Sequence, residues 1–408
     1  MLTNNASRRK QLLLILLCDV AYTAVYVGRY SYNANITVLI NAYGVSRAEA
    51  GLVGTFFFFS YGAAQLVHSI LCKHYSGRYM IPFALFCMAG INGAMLLDPP
   101  FAAIKYLWMI NGLTQSLIWP TVMRLWGENL DADMTSQASF FASLPLPIGT
   151  VIAYGAGALF TLIPFRHGSF WLGLIIPAAV GVLWLVSYDK LTAGGDRKVM
   201  PTQETKQAPA RKRAPLGAAL LGVLILSGVL MAINGFVRDG LNTWTPNLLK
   251  EMFRLNDGSS IVLTLVLPLF GIFGSALAVR IHARLHDFRA LGALLCLLMT
   301  VSLGGLLLCL YADVAVPTVI LLGATSCLVH AVSTTFVNIV PLSFRDHIDS
   351  GLLSGVINAC SYVGSTVSAY GLGAVADGLG WNSVVLIMLV AAALASVLAL
   401  ASLLRKKA

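Results

Sequence analysis

A polytopic all-α membrane protein, with twelve transmembrane helices in two six-helix halves, is the fold class that this 408-residue sequence predicts. Three observations carry the expectation. Hydrophobic residues make up 58% of the chain and charged residues only 11%, outside the range of soluble domains. Apolar runs long enough to cross a bilayer, about 18 residues or more, recur along the whole length. Of 27 Lys and Arg, 20 fall in one alternating set of loops and ends, five in the other and two within spans. Cytoplasmic loops carry such an excess, so this asymmetry accounts for the net charge of +10 without a nucleic-acid partner.

The spans are expected at 11–40, 48–71, 79–98, 101–126, 135–163, 169–188, 215–250, 258–281, 289–311, 315–342, 351–376 and 381–404. Arg8, Arg9 and Lys10 precede the first, and Arg405, Lys406 and Lys407 follow the last, so both termini are expected in the cytoplasm. The first apolar run has no small-residue cleavage site, which makes it a span and not a signal peptide. Residues 1–188 form an N-terminal bundle and 215–408 a C-terminal one. The polar, Pro- and Gly-containing stretch 189–214 reads as a cytoplasmic linker, its Arg211-Lys212-Arg213 run solvated or touching anionic lipid. The remaining loops are too short for an extramembrane catalytic domain.

Small residues recur where helices must approach closely: Gly149, Gly155 and Gly157 in span five, Gly271 and Gly274 in span eight, and Gly351, Gly355 and Gly364 in span eleven. Spans five and eleven correspond in a six-plus-six repeat, so close packing there is expected along the interface where the halves move. Pro145, Pro147 and Pro268 are expected to bend their helices. The seven cysteines show no metal-ligand spacing, and no metal or cofactor is expected.

The candidate site begins with Arg29. It lies 19 residues past Lys10 and 18 before Arg47, near the middle of the first span. An arginine there costs about 2.5–3.5 kcal/mol on insertion scales, so it marks a function unless backbone carbonyls or a carboxylate neutralise it. Tyr22, Tyr26, Arg29, Asn33 and Thr37 share its helical face. Arg238 lies 209 residues further on, and both arginines open an Arg-x-x-x-Asn pattern ending at Asn33 and Asn242. Its stripe is Asn234, Arg238, Asn242 and Thr245. One intramembrane arginine per half places a site between two repeats.

Four more spans carry polar stripes at helical spacing: Tyr61, Gln65 and His68; Asn111, Gln115 and Trp119; Ser326, His330, Thr334 and Asn338; Ser354, Asn358, Tyr362 and Ser365. Interhelical hydrogen bonding explains any one of them, but with two arginines they indicate an aqueous central path. The candidate substrate-binding residues are Arg29, Arg238, Tyr26, Asn33, Tyr61, Gln65, Trp119, Asn242, His330, Asn358 and Tyr362. Two guanidinium forks facing one cavity suit a compact dianion such as a phosphate ester. Asp239 is set about 100° round the helix from Arg238, which leaves the arginine unpaired; a local ion pair is the alternative. Asp19, Asp239 and His330 are the candidate proton-coupling groups.

No GxxxxGK[ST], HExxH or GxSxG pattern occurs, which leaves ATP drive and enzymatic chemistry without support.

The stretch Arg238-x-Gly240-x-x-x-Trp244-x-Pro246-x-x-Leu249-Lys250-Glu251, together with Arg29, Tyr362-x-Gly364-Ser365, Asp377 and Gly380-Trp381, resembles the organophosphate:phosphate antiporters of the major facilitator superfamily. Trp119-Pro120 and Tyr61-Gly62 match more loosely. The resemblance covers the whole chain. It implies that Arg29 and Arg238 bind a substrate phosphate, that Tyr362 lines the cavity, and that the protein is integral to a bacterial inner membrane. A small anionic substrate, inorganic phosphate and the lipid bilayer are then its partners, and a monomer is expected. Four departures bear on the substrate and the coupling mode. Gln65 replaces a cavity lysine, Tyr30 a second basic residue, Ser143 to Thr150 lack a site histidine, and Cys72 to Arg78 replace an acidic loop signature.

Alternating access is the expected mechanism, with the halves rocking about the arginines. Two unpaired cations about 10 Å apart repel by about 1.7 kcal/mol at an effective dielectric of 20, and a bound dianion removes that penalty. Proton-coupled symport of a carboxylate or sugar acid is one alternative. A transporter-like membrane sensor of a sugar phosphate is another.

Overall fold

The structure is a computed structural model that describes residues 2–131, 144–162, 167–192, 218–344 and 350–404, with 134, 138, 141 and 348 between them. The linker with Arg211-Lys212-Arg213, most of 135–143, and Arg405 to Lys407 lie outside the described residues. Among the described residues all regular structure is helical, as a bilayer requires of a non-barrel chain.

Span one is α1 (Leu2–Ala34) continued by α2 (Ile36–Tyr43), with a break at Asn35. Span two is α3 (Arg47–Leu71) and span three α4 (Gly77–Met95). Span four is split into α5 (Phe101–Gln115) and α6 (Ile118–Asn129). Spans five, six and seven are α7 (Pro145–Leu162), α8 (Gly168–Leu191) and α9 (Ala218–Met252). Span eight is α10 (Asp257–Thr264) and α11 (Val266–Leu285), span nine α12 (Phe288–Tyr311). Span ten is α13 (Ala315–Thr334), which passes through a π-turn at Thr335–Ile339 into α14 (Val340–Ser343). Spans eleven and twelve share one helical element, α15 (Ser350–Leu404), folded at Gly380, whose φ of 77° suits a residue without Cβ. Large apolar side chains such as Phe59, Phe273 and Leu308 remain exposed around the outside, as lipid-facing positions should.

Helix pairing repeats with an offset of six. Span one packs on five and seven on eleven; two on four and eight on ten; three on six and nine on twelve. Between halves, span two meets eleven and five meets eight, the same pair under the same offset, while span one touches seven near the axis.

The proline and glycine expectations divide. Pro145 and Pro147 open α7 directly after a bend at Leu144, in a first turn that tolerates proline, and most of span five before them lies outside the described residues. Pro268 stands three residues after Leu265, where span eight is interrupted as a proline bend requires. Gly149, Gly157 and Gly364 do not mark the moving interface, whereas Gly355 faces Ser69 of span two across it. Gly149 and Gly157 admit span one (Tyr26, Ala34) and Gly364 admits span seven (Ala232), all within a half. Gly155 faces open space, and the side chain environment of Gly351 is outside the description. The close approach between the halves falls instead on Gly51 and Gly62 of span two, where a Cβ would overlap the Ala369 carbonyl and the Tyr362 side chain of span eleven.

The tightest approach joins spans seven and eleven. A Cβ on Gly235 would overlap the Ser361 carbonyl, and one on Gly364 the Ala232 carbonyl. Gly235→Ala and Gly364→Ala are each expected to cost about 1–3 kcal/mol. Melting temperature in detergent checks this, with Gly155→Ala as the substitution that leaves it unchanged.

Candidate functional site

A cavity of about 240 Å³ lies between the halves, and both intramembrane arginines line it. The N-terminal half contributes an aromatic wall: Tyr22, Tyr26 and Tyr30 of span one and Trp119 of span four. Tyr22 packs against Tyr26 at 5.2 Å and against Trp119 at 5.0 Å between ring centroids. The C-terminal half contributes a polar wall, with Ser275, His330, Ser333, Thr334, Asn338 and Asn358.

Arg29 is buried, yet it makes no ion pair or hydrogen bond among the described residues. Its guanidinium instead lies among rings, 4.5 Å from the Phe57 centroid, 5.3 Å from Tyr61 and 5.4 Å from Phe58. Span two supplies all three, because positions 57, 58 and 61 share one helix face. Aromatic quadrupoles stabilise a desolvated cation by about 2 kcal/mol without cancelling its charge. Arg29 therefore presents its positive charge to the cavity without a direct ion pair.

Arg238 differs. Its Nη2 donates to Asp239 Oδ2 at 2.7 Å and its Nε to Oδ1 at 3.3 Å, and Ser365 Oγ donates to Oδ2 at 2.5 Å. The expectation of an unpaired Arg238 is thus corrected in favour of the local ion pair. The 100° offset separates Cβ atoms, but a guanidinium on a three-carbon stem folds back across it. Ser365 of span eleven then pins the carboxylate on the arginine's side.

On the side away from the termini the halves are held shut. Arg47, at the start of span two, meets Glu251 at the end of span seven (Nη2–Oε2 2.5 Å) and Asp377 beyond span eleven (Nη1–Oδ1 2.8 Å). Asp377 also accepts from the backbone N–H of Arg47 and Ala48, and Trp381 Nε1 donates to Glu251 at 2.8 Å. Asn33–Thr243 (3.1 Å), Tyr154 Oη to the Asn242 carbonyl (2.6 Å) and Thr55 to the Thr366 carbonyl (2.9 Å) continue this seam. Trp119, Leu146, Ser275 and Asn338, by contrast, line the cavity from the terminus-side parts of their spans.

The family model described as Major Facilitator Superfamily matches residues 19–348. The chain belongs to the Major Facilitator Superfamily. Within it, the chain is 24% identical over 423 aligned residues to a probable hexose phosphate transport protein of Chlamydia trachomatis, covering 93% of this chain and 88% of that one. It is 21% identical over 205 residues to probable anion transporter 7 of Oryza sativa subsp. japonica, 50% of this chain and 46% of that one. It is 27% identical over 112 residues to the membrane sensor protein UhpC of Escherichia coli, 28% and 26% of the two chains. The chain thus spans less than half the length of the last two. Among solved structures, an inward-facing, unoccupied bacterial homolog of the human lysosomal transporter Spinster aligns with a TM-score of 0.75 at 12% identity, over 96% of this chain and 97% of that one. The fold is that of the superfamily, and the family agrees with the non-enzymatic reading.

Of the candidate residues in this superfamily member, Arg29, Arg238, Tyr26, Trp119, His330, Asn358 and Tyr362 line the one cavity, as does Asp239. Four do not. Tyr61 lies behind it, 4.7 Å from the Tyr362 ring centroid, and Gln65 accepts from Asn358 at 3.4 Å in the span two–eleven seam. Asn33 and Asn242 belong to the closed seam. Asn111 and Gln115, hydrogen-bonded to each other at 2.7 Å, are fully buried inside the N-terminal half instead of facing a central path. Asp19 is half-buried outside the cavity lining, with Oδ2 unpartnered among the described residues. His330 Nδ1–H donates to the Ser326 carbonyl at 2.8 Å, and its ring packs against Gly271. Sequence reasoning missed Phe57 and Phe58 around Arg29, Ser365 as the support of Asp239, and Arg47 as an inter-half residue. The carboxylates at the ends of spans seven and eleven were the available signal for Arg47.

Proposed function

We propose that the protein is a secondary active transporter that exchanges an organophosphate for inorganic phosphate by alternating access at a site between Arg29 and Arg238. The observation that carries the proposal is a buried arginine with no direct ion pair, lining the same cavity as a second arginine. A cation so placed needs an anion, and guanidinium forks suit tetrahedral oxyanions. The names of the anion and hexose phosphate relatives support the substrate class. The closed seam at Arg47 supports a state open to the side of the termini, and the Lys and Arg asymmetry supports reading that side as the cytoplasm; the family resemblance supports a bacterial inner membrane. The protein acts as a monomer in this scheme.

An anion between the arginines draws the halves together, and without one their like charges oppose closure, which favours exchange over leak. The test is uptake of radiolabelled phosphate into proteoliposomes preloaded with phosphate. Saturable exchange that vanishes without internal phosphate is expected. Net uptake driven by a proton gradient alone would replace this reading with symport, for which Asp239 and His330 are the cavity groups available. The likeness to UhpC favours one further reading, a sensor, which would bind sugar phosphate in the same cavity without moving it.

A further inference from the structure

The charges around the cavity sum to a definite number. Arg29 contributes one positive charge with no carboxylate beside it among the described residues. Arg238 and Asp239 cancel. Asp239 is 2% exposed, and both of its oxygens are engaged by donors: Oδ1 by Arg238 Nε, Oδ2 by Arg238 Nη2 and Ser365. A carboxylate receiving three donated hydrogen bonds is held as the anion. Arg238 thereby spends two of its three nitrogens inside the protein, and Nη1 is the one left without a partner among the described residues. Arg29, Arg238 and Asp239 are the Arg, Lys, Asp and Glu side chains of the cavity lining, so their formal charges sum to +1.

We infer that the cavity is matched to a tetrahedral anion bearing a single negative charge, and that Asp239 is the residue that sets this limit. The inference rests on the proposed anion site and narrows its substrate to a charge class. A monoanion cancels the site charge, whereas a dianion leaves one negative charge uncompensated in a closed, weakly polarisable interior. Two bare arginines would have suited a dianion; the Asp239 carboxylate removes half of that attraction. Asp239 does so from within, since it occupies the edge of Arg238 that a second phosphate oxygen would otherwise take. A phosphate ester then enters as its monoprotonated form.

The test is equilibrium binding to the purified full-length protein in detergent at pH 8, read by calorimetry. The probes are propyl sulfate, which stays at one negative charge, and propyl phosphate, which is about −2 there because its second pKa is near 6. The wild type is expected to bind propyl sulfate tighter. Asp239→Asn raises the site charge by one and is expected to move the affinity ratio at least tenfold toward propyl phosphate. Asp239→Glu, which keeps the charge, is expected to leave the ratio within threefold of wild type. Tighter wild-type binding of propyl phosphate overturns the charge assignment without recourse to any variant, and so does an unmoved ratio in a folded Asp239→Asn protein. If neither ester binds to the wild type, the anion site itself fails.

Discussion

Arg29→Ala is expected to abolish phosphate exchange, with a loss of at least a hundredfold in initial rate at subsaturating phosphate. The guanidinium is buried in an aromatic enclosure and makes no direct ion pair among the described residues, so its donors are available to substrate. Truncating one partner of a buried charged pair costs about 2–5 kcal/mol, and about 2.7 kcal/mol is already a hundredfold. Arg29→Lys separates charge from shape. The ammonium keeps the cation but not the fork, and its compact charge reaches fewer oxygens, so a loss of at least tenfold is expected. Arg238→Ala is a less clean test, because it leaves Asp239 buried without its partner and perturbs folding as well as binding. Exchange by Arg29→Ala within threefold of wild type, at equal reconstitution, would falsify the proposed site.

The second large effect is conformational. Arg47→Ala is expected to open the side away from the termini. One N-terminal-half arginine there meets Glu251 and Asp377 of the other half, with Trp381 completing the cluster. Each ion pair is about a quarter to a third exposed, so each is screened and worth less than about 1 kcal/mol alone. The cluster is a network, however, and Asp377 also receives two backbone N–H groups at the start of span two. Losing the arginine side chain removes about 2 kcal/mol from the closed state, a shift of roughly thirtyfold in the open-to-closed ratio. Spin labels at Ala42 and Gly378, both exposed, report it by pulsed dipolar distance measurement. The wild type should give one short distance and Arg47→Ala a substantial longer population. An unchanged distribution would show that apolar packing of spans two and eleven holds the seam by itself.

The motif that carries the family resemblance divides between these two predictions. Arg238 belongs to the cavity, while Glu251, Asp377 and Trp381 belong to the seam, some distance along the same helices. Resemblance identified the residues as a set, and only the packing sorted them into two jobs.

By itself the sequence determined the membrane fold, the number of spans and the two arginines. The physical reason is that a bilayer supplies no hydrogen-bonding solvent. Backbone groups must be satisfied within each helix, so apolar length reports each crossing, and an ionised side chain at mid-depth stands out against hydrocarbon. What surrounds each polar group was decided by tertiary structure alone. Helical spacing says which side chains share a face, but not which neighbour that face meets. So Asn33 and Asn242 turned out to close a seam, Asn111 and Gln115 to bond inside one half, and Gly149 and Gly364 to admit helices of their own half. The same holds for charge. Whether a carboxylate neutralises an arginine depends on a few ångströms of side-chain reach and on a third group to hold it, here Ser365 from a helix 126 residues away. That distance is fixed by how spans seven and eleven cross at Gly235 and Gly364, where a carbonyl fills the space a side chain would need.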